Sequence, residues 1–208
     1  MTIRAIILDI GGVLEITPDP QMMRLIERWV KRLHFKPGEL AERLASLDSG
    51  GALGTCTEEE WLHDLRAATG MNQADCDEFM SDFWVEYLGE LNVELAEFIA
   101  TLRPRYKIAL LSNSFLGARE REQERYHFQD LTDLIIYSHE VGLAKPDKRI
   151  FQLTCERLGL PPHETIFLDD YEPNITAARE FGMQAILFRD TGQAIAEICA
   201  LLQDSNDL

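Results

Sequence analysis

The sequence predicts a doubly wound α/β fold, in which a mostly parallel, Rossmann-like sheet has helices on both faces and a four-helix domain is inserted after the first strand. Two observations support this prediction. Five short apolar segments are typical of buried strands, and helical patterns separate the last four at intervals of about 20 to 30 residues. Such alternation favours right-handed crossovers between parallel strands. The predicted strands are 3–8, 107–111, 134–137, 165–168 and 184–188.

The long segment between the first two strands has a helical pattern throughout. A capping box at Thr57–Glu60 begins one of its helices, and the glycine-rich stretch Ser49–Gly54 before it is expected to be flexible. We therefore predict an α/β core domain at 1–15 and 92–208 and a helical domain at 16–91. Apolar residues with a period of 3.6 define four helices: Met22, Leu25, Ile26, Trp29 and Leu33; Leu40, Leu44 and Leu47; Trp61, Leu65 and Ala68; Cys76, Phe79, Met80, Phe83, Trp84 and Tyr87.

The net charge restricts the classes of partner. With 36 acidic and 20 basic residues, the formal charge is −16 at pH 7, which disfavours nucleic acids and anionic membranes. The N-terminal apolar run ends at Asp9 and is too short for a signal peptide or a membrane span. The four cysteines lack metal-site spacing. The sequence thus predicts a cytoplasmic protein with reduced thiols, a monomer or homodimer, and no nucleic-acid or membrane partner.

Polar residues follow four of the five predicted strands. Asp9–Gly12 follows the first strand, Ser112–Ser114 ends the second, Lys145 follows the third after a short loop, and Asp169 and Asp170 end the fourth. Each residue alone is compatible with an ordinary turn or surface position. Because ligands of open parallel sheets bind beyond the carboxyl ends of the strands, the four positions together predict one site.

The residue types at this edge are suited to a metal ion and a phosphate. Magnesium takes oxygen ligands and commonly bridges protein carboxylates to a substrate phosphate, and three carboxylates are present. The backbone amides of Ile10 and Gly11 are expected to approach phosphoryl oxygens, because Gly11 and Gly12 carry no side chain. Ser112 supplies a hydroxyl, and Lys145 balances the negative charge of the site.

These segments resemble the haloacid dehalogenase (HAD) superfamily of phosphohydrolases, in the subfamily IA that carries a helical C1 cap after the first motif. Four motifs in the expected order extend over residues 6–182. Any single motif is weak, but the four at this spacing are specific. They are Ile6–Leu14, Leu110–Asn113, Gly142–Asp147 with Ile150–Phe151, and Phe167–Asp170 continuing through Asn174, Ala177–Arg179 and Gly182.

The resemblance implies a magnesium-dependent phosphomonoester hydrolase that acts on a small phosphorylated metabolite, with a sugar phosphate as the default substrate. Asp9 is the implied nucleophile, which forms an aspartyl-phosphate and so divides one displacement into two. The implied magnesium ligands are Asp9, the backbone carbonyl of Gly11, and Asp169 or Asp170.

The resemblance also implies how the phosphate and the rest of the substrate are bound. Ser112 is expected to bond a phosphoryl oxygen, and Asn113 to orient the substrate or the nucleophile. Lys145 is expected to neutralise Asp9 and the charge that develops in the transition state. The helical domain is similar to the specificity cap of the family, with Ser49–Gly54 as the candidate substrate loop.

The sequence departs from the family pattern at Gly11, where most phosphatases carry a second Asp that acts as general acid and base. Such help is worth about 10²–10⁴-fold in rate. The Asp-x-Gly form also occurs in a branch similar to bacterial sugar-phosphate phosphatases and to the N-terminal domain of epoxide-hydrolase-like proteins. In an active enzyme, a good leaving group, a solvent water or another acid would serve instead. Glu15 and Asp19 are the nearest candidate acids, and we expect Glu15 or a cap carboxylate to replace the missing Asp.

Two alternatives to an active phosphatase stay open. One is a phosphate-binding regulatory module with weak or no turnover. The other is a 2-haloacid dehalogenase, which is disfavoured because that branch usually has Tyr at the position of Gly11 and does not use an aspartate pair for magnesium.

The histidines and tryptophans form no recognisable catalytic pattern. The histidines are expected at the surface or at helix caps, and the tryptophans in the packing of the cap. They are His34, His63, His127, His139 and His163, and Trp29, Trp61 and Trp84.

Overall fold

The computed structural model of the protein describes residues 2–17, 21–47 and 50–204. Five strands form a parallel sheet in the order β5-β4-β1-β6-β7, and β2 and β3 form a separate antiparallel pair. The predicted parallel α/β sheet is therefore confirmed, with strand ends within two residues of the predicted ones. The strands are β1 (Ala5–Leu8), β2 (Glu15–Ile16), β3 (Glu90–Leu91), β4 (Lys107–Ser112), β5 (Leu134–Tyr137), β6 (Thr165–Asp169) and β7 (Gln184–Leu187).

Helices cover both faces of the sheet and also form the inserted segment. Among the described residues the α-helices are α1 (Gln21–Arg32), α2 (Glu39–Ala45), α3 (Gly50–Leu53), α4 (Glu58–Thr69), α5 (Gln73–Tyr87), α6 (Val93–Leu102), α7 (Ala118–Tyr126), α8 (Phe128–Leu131), α9 (Ser138–Val141), α10 (Lys148–Leu158), α11 (Glu172–Phe181) and α12 (Thr191–Asp204). A 3₁₀ turn at Pro162–Glu164 precedes β6. Within the described part of the chain, no helix is long and apolar enough to span a membrane.

The central strand β1 determines where the site lies. All four of its residues are buried and apolar, as expected for a strand covered on both faces. Ile6 and Leu8 pack into one apolar cluster, while Ala5 and Ile7 pack into a second cluster on the other face. Leu8 is in register with residues of both neighbouring strands. The residues that follow β1, β4 and β6 therefore emerge side by side.

Helices α1 to α5, which we call the cap, are packed around an apolar cluster of their own that includes Trp29 and Phe79. The four predicted cap helices are present as α1, α2, α4 and α5. The glycine-rich stretch Ser49–Gly54 was expected to be flexible. In the structure Gly50–Leu53 forms the short helix α3, with Gly50 and Gly51 buried. Ser49 lies outside the described residues. Glycine content alone could not reveal that this stretch packs against the α/β core.

The chain leaves the core for the cap at β2 and returns to the core at β3, and these two strands pair with each other. We call this place the crossing. Glu15 pairs with Leu91 and Ile16 with Glu90. These two-residue strands are too short to give a periodic signal in the sequence, and they were not predicted. The division into a core at 1–15 and 92–208 and a cap at 16–91 stays a prediction.

Candidate active site

The predicted polar residues meet at the carboxyl edge of the sheet around the Lys145 ammonium group. Lys145 Nζ lies 2.7 Å from Asp9 Oδ1 and 2.7 Å from Asp169 Oδ2, and its side chain is only 1% exposed. The Asp9 N–H donates to the carbonyl oxygen of Leu168 at 2.9 Å, which fixes Asp9 against β6. A buried ammonium between two carboxylates is compensated, and so both acids can be kept near each other.

The first turn of α11 orients the Asp169 carboxylate. The N–H of Tyr171 donates to its Oδ1 at 2.8 Å, and Asn174 Nδ2 lies 3.0 and 3.1 Å from its two oxygens. Asp169 is fully buried. Sequence reasoning included Asn174 in a motif but assigned it no role; its position five residues after Asp169, on the following helix, was the available signal.

Asn113 and Lys145 hold each other through their backbone and side-chain groups. Asn113 Nδ2 donates to the Lys145 carbonyl oxygen at 2.8 Å, and the Lys145 N–H donates to Asn113 Oδ1 at 2.8 Å. The Asn113 amide was expected to orient the substrate or the nucleophile. In the structure it positions the loop that carries the Lys145 ammonium, and its contact with substrate stays a prediction.

Three carboxylates form a group that can hold a cation. Asp9, Asp169 and Asp170 each present an oxygen, and these oxygens lie within 4.8 Å of one another. Gly12 makes this approach sterically feasible, because a Cβ there would lie 2.1 Å from Asp170 Oδ2. Among the residues that the structure describes, Lys145 is the one cation paired with any of these three carboxylates. Hard oxygen ligands with excess negative charge are suited to Mg²⁺.

The pKa values of Asp9 and Asp170 are both raised, so added positive charge would favour their ionised forms. Burial raises the pKa of Asp9 to about 7, an effect that Lys145 opposes and the Asp169 charge reinforces. Burial and the Asp169 charge also raise the pKa of Asp170. Asp9 must be ionised to act as a nucleophile. A divalent cation bound by these carboxylates would favour that ionised form.

The backbone after β1 orients Asp9, and its expected role in binding phosphate stays a prediction. The Ile10 N–H donates to Asp9 Oδ1 at 2.8 Å and thus orients the nucleophile candidate. Gly11 is in the adjoining turn, where an added Cβ would meet no atom within 4 Å. Ser112 lies buried at the end of β4, beside β1. Ser112 thus lies at the carboxyl edge of the sheet, as predicted, and the Ile10 N–H is hydrogen-bonded to Asp9.

Glu15, one candidate for the missing acid, lies at the crossing between core and cap. Its Oε1 accepts the Gly89 N–H at 2.7 Å, and its side chain is buried. Burial raises the pKa of Glu15 to about 7. This geometry favours a structural role at the crossing. Asp19, the other candidate in the linker, lies outside the described residues.

A second buried acid, Glu122, was missed by sequence reasoning. The Tyr137 hydroxyl donates to Glu122 Oε2 at 2.6 Å. Burial raises the pKa of Glu122 to about 8, and the Glu15 and Asp9 charges contribute to that rise. Glu122 is in a strongly polar helix, α7, where the sequence gives no sign that one of its acids is buried.

One histidine is not at the surface or a cap as expected. His139 is half-buried, and its Nδ1 lies 2.7 Å from Ser114 Oγ. His127 does end a helix, at the C-terminus of α7. The available signal for His139 was its position just after β5, at the same edge of the sheet as Ser114.

Comparison with known proteins shows the family to which the chain belongs. A family model described as haloacid dehalogenase-like hydrolase matches residues 3–182. Bifunctional epoxide hydrolase 2 of Sus scrofa is 27% identical over 95% of this chain and 38% of its own length. D-ribitol-5-phosphate phosphatase of Bacteroides thetaiotaomicron is 29% identical over 49% of this chain and 52% of its own length. The chain thus spans about half or less of these two curated relatives.

A solved structure has the same fold. A HAD family enzyme of Bacteroides thetaiotaomicron, in complex with magnesium and inorganic phosphate, has a TM-score of 0.76 and 23% identity, and the match covers 90% of this chain and 94% of that chain. At that identity the likeness concerns the fold alone. The family model, by contrast, includes the segments that carry Asp9, Ser112, Lys145 and Asp169. The chain therefore belongs to the haloacid dehalogenase-like hydrolases.

Proposed function

We propose that this protein is a magnesium-dependent phosphomonoester hydrolase that acts on a small phosphorylated metabolite through an aspartyl-phosphate on Asp9. The observation that carries the proposal is the buried Lys145 ammonium, 2.7 Å from both Asp9 and Asp169, beside a third carboxylate at Asp170. Its relatives include a D-ribitol-5-phosphate phosphatase, which favours a phosphorylated sugar or polyol as substrate.

The contacts of Asp9 indicate how it would act. Its Oδ1 accepts hydrogen bonds from Lys145 Nζ and from the Ile10 N–H, which leaves Oδ2 for attack on phosphorus. An oxygen–phosphorus bond forms at Oδ2 while the ester bond to the leaving oxygen breaks, and water then hydrolyses the acyl phosphate. Lys145 stabilises the charge on the phosphoryl group.

The carboxylates of Asp9, Asp169 and Asp170 would hold the magnesium ion. When bound, the ion supplies positive charge that reduces the repulsion between a carboxylate nucleophile and a phosphate dianion. Asp169 is pre-oriented for this task, because Tyr171 and Asn174 both donate to it.

The second candidate function is a phosphate-binding module with weak turnover. Two observations favour it: position 11 has no side chain, and the nearby Glu15 carboxylate is bonded to Gly89 at the crossing. The leaving alkoxide then has to take its proton from water, which slows poor leaving groups most. A dehalogenase would have no use for three clustered carboxylates, so we place it last.

The test is an assay of phosphate release from a panel of sugar, polyol and nucleoside monophosphates and p-nitrophenyl phosphate, with and without magnesium. Wild-type protein is compared with Asp9→Asn and with Asp77→Asn, an exposed cap carboxylate, as the matched control. Magnesium-dependent release that is lost only in Asp9→Asn supports the enzyme. Binding of phosphate compounds without release at any pH would support the module, and halide release in the presence of a chelator would support the dehalogenase.

A further inference from the structure

Phe115 is a core residue whose ring is packed among cap side chains. It follows β4 and lies in the turn that begins with Asn113 and Ser114. Its ring centroid is 4.8 Å from that of Trp61, 5.6 Å from Phe83 and 6.2 Å from Trp84. Trp61 belongs to α4, and the other two belong to α5. One side chain of the core thus contacts two helices of the cap.

Helix α3 of the cap packs against the same ring. A Cβ on Gly51 would lie 2.2 Å from Phe115 Cε2, so any side chain at position 51 would displace the ring. The N–H of Leu116, the residue after Phe115, donates to the Gly51 carbonyl oxygen at 3.1 Å. The ring and the adjoining backbone therefore fix the position of α3 together.

The first residues of helix α9 in the core also contact the segment that contains α3. Ser138 Oγ donates to the Ala52 carbonyl oxygen at 2.8 Å and accepts the Ser114 N–H at 2.9 Å. Gly54, at a φ of 64°, is so close to His139 that a Cβ would lie 1.7 Å from its carbonyl oxygen. The turn that contains Phe115 is thus bonded to α3 both directly and through Ser138.

The same turn is bonded to Lys145. Asn113, two residues before Phe115, exchanges two hydrogen bonds with the backbone of Lys145, and Lys145 Nζ contacts both Asp9 and Asp169. We propose that Phe115 is a positioning residue: with the cap docked on its ring, the turn that ends β4 is fixed, and Asn113 then holds the Lys145 ammonium between Asp9 and Asp169. The proposal rests on the proposed function for its kinetic readout alone.

The expected loss of kcat in Phe115→Ala follows from how precisely a catalytic group must be positioned. Misplacement of a catalytic group by about 1 Å can cost on the order of 100-fold in rate. Phe115→Ala is therefore expected to lower kcat by about 10- to 100-fold, with KM changed by less than about threefold, because the ring acts through Lys145 and not on the substrate. Gly51→Ala is expected to cause a similar loss, since its methyl group displaces the same ring.

The double variant tests whether Gly51 acts through Phe115. With the ring removed, the Gly51 methyl group has room, and so Gly51→Ala should add little to Phe115→Ala. If the kcat losses of the two single variants multiply in the double variant, Gly51 does not act through Phe115, and the shared contact is refuted. Phe98→Ala is the matched control, because Phe98 is also half-buried but packs on the cluster of α6 and the sheet. Phe115→Leu retains apolar contact and is expected to lie between Phe115→Ala and the wild type.

A readout without turnover separates this proposal from the proposed function. Acylation of lysines, followed by mass spectrometry, measures the accessibility of Lys145, which is 1% exposed, against Lys148, which is 53% exposed. We expect Lys145 to be labelled about tenfold faster in Phe115→Ala and Gly51→Ala, with Lys148 unchanged. Far-UV circular dichroism shows that each variant is folded, and Phe115→Leu replaces Phe115→Ala in the labelling if the latter is unfolded.

The outcomes differ for the two proposals. If wild-type protein releases no phosphate but Lys145 labelling responds to both substitutions, the proposed function fails and the positioning role of Phe115 stands. If Lys145 labelling is unchanged in the folded variants, the positioning role is overturned whatever the turnover.

Discussion

The catalytic edge of the sheet and the cap docking surface around Phe115 are held together by different interactions. At the edge, Lys145 lies between two buried carboxylates, and Asp169 accepts further hydrogen bonds from Tyr171 and Asn174. At the docking surface, aromatic rings pack edge to face on Phe115. Charge determines the first arrangement and volume the second.

This difference predicts which substitutions each region tolerates. A buried ion pair is sensitive to the loss of one charge, because the remaining charge loses its partner. A close-packed contact is sensitive to one added or removed methyl group. The catalytic edge should respond to changes of charge, and the docking surface to changes of size such as Gly51→Ala.

The largest expected effect is that of Lys145→Met. Without the ammonium, the buried carboxylates of Asp9 and Asp169 face each other unpaired, and the free energy of unfolding is expected to fall by about 3–5 kcal/mol at pH 8. Phosphate release is expected to fall at least about 10²–10³-fold. Urea unfolding without magnesium and a steady-state assay measure the two effects.

The matched control for this prediction is Lys148→Met. Lys148 pairs with Glu180 at the surface, where both side chains are more than half exposed, and such pairs contribute little. We expect Lys148→Met to behave like the wild type in both measurements. Equal losses in the two variants would refute the claim that charge holds the catalytic edge together.

The next prediction concerns volume within the charged region, at two neighbouring glycines. Gly12 has a φ of 77°, and a methyl group there would lie 2.1 Å from Asp170 Oδ2. Gly12→Ala is therefore expected to displace Asp170 and weaken magnesium affinity about 10- to 100-fold, as measured by titration calorimetry. Gly11→Ala meets open space and should leave the affinity unchanged. Unchanged magnesium affinity in Gly12→Ala would mean that Asp170 does not bind the metal.

The strand ends were predictable from sequence because parallel strands have only one carboxyl edge. Apolar runs identify the strands. Asp9 follows β1, and Ser112 and Asp169 end β4 and β6, the two strands beside it. That placement requires no knowledge of side-chain contacts. The candidate carboxylates and Lys145 could be named on that basis alone.

The contacts of Asn113, Phe115 and α3 could not be predicted in this way. Each joins segments that are distant along the chain: Asn113 bonds Lys145, and Leu116 bonds Gly51. Glycines at positions 50 to 54 usually indicate a flexible loop, and only the surrounding core makes them a packing requirement. Tertiary contact, not local propensity, determines these features.

A smaller effect is expected from Gly11→Asp, which adds the acid that most phosphatases of the family carry. The backbone of Gly11 accepts a Cβ without a clash, because such an atom meets nothing within 4 Å. If proton transfer to the leaving group limits turnover, kcat for a sugar phosphate should rise about tenfold. The rate for p-nitrophenyl phosphate, whose leaving group needs no proton, should hardly change. A fall for both substrates would show that the added charge harms phosphate binding.

The smallest effect on turnover is expected at the crossing, where the two regions meet. Burial raises the pKa of Glu15 from 4.5 to about 7, so the folded protein holds a proton that the unfolded chain loses. Stability contributed by this proton is present below pH 4.5 and is lost as the pH rises to about 7. Glu15→Gln cannot ionise and still accepts the Gly89 N–H. At pH 8 it should exceed the wild type in free energy of unfolding by on the order of 1–3 kcal/mol.

Two measurements on Glu15→Gln distinguish a structural carboxyl group from a catalytic one. Urea unfolding at pH 5 and pH 8 measures the Glu15 contribution as the difference between variant and wild type, and this difference includes the effect of the Glu15 charge on the pKa of Glu122. The rate–pH profile should be unchanged, since the Glu15 carboxyl is bonded to Gly89 and not to Asp9. A variant that loses one limb of that profile would identify Glu15 as the proton donor and make the crossing part of the catalytic region.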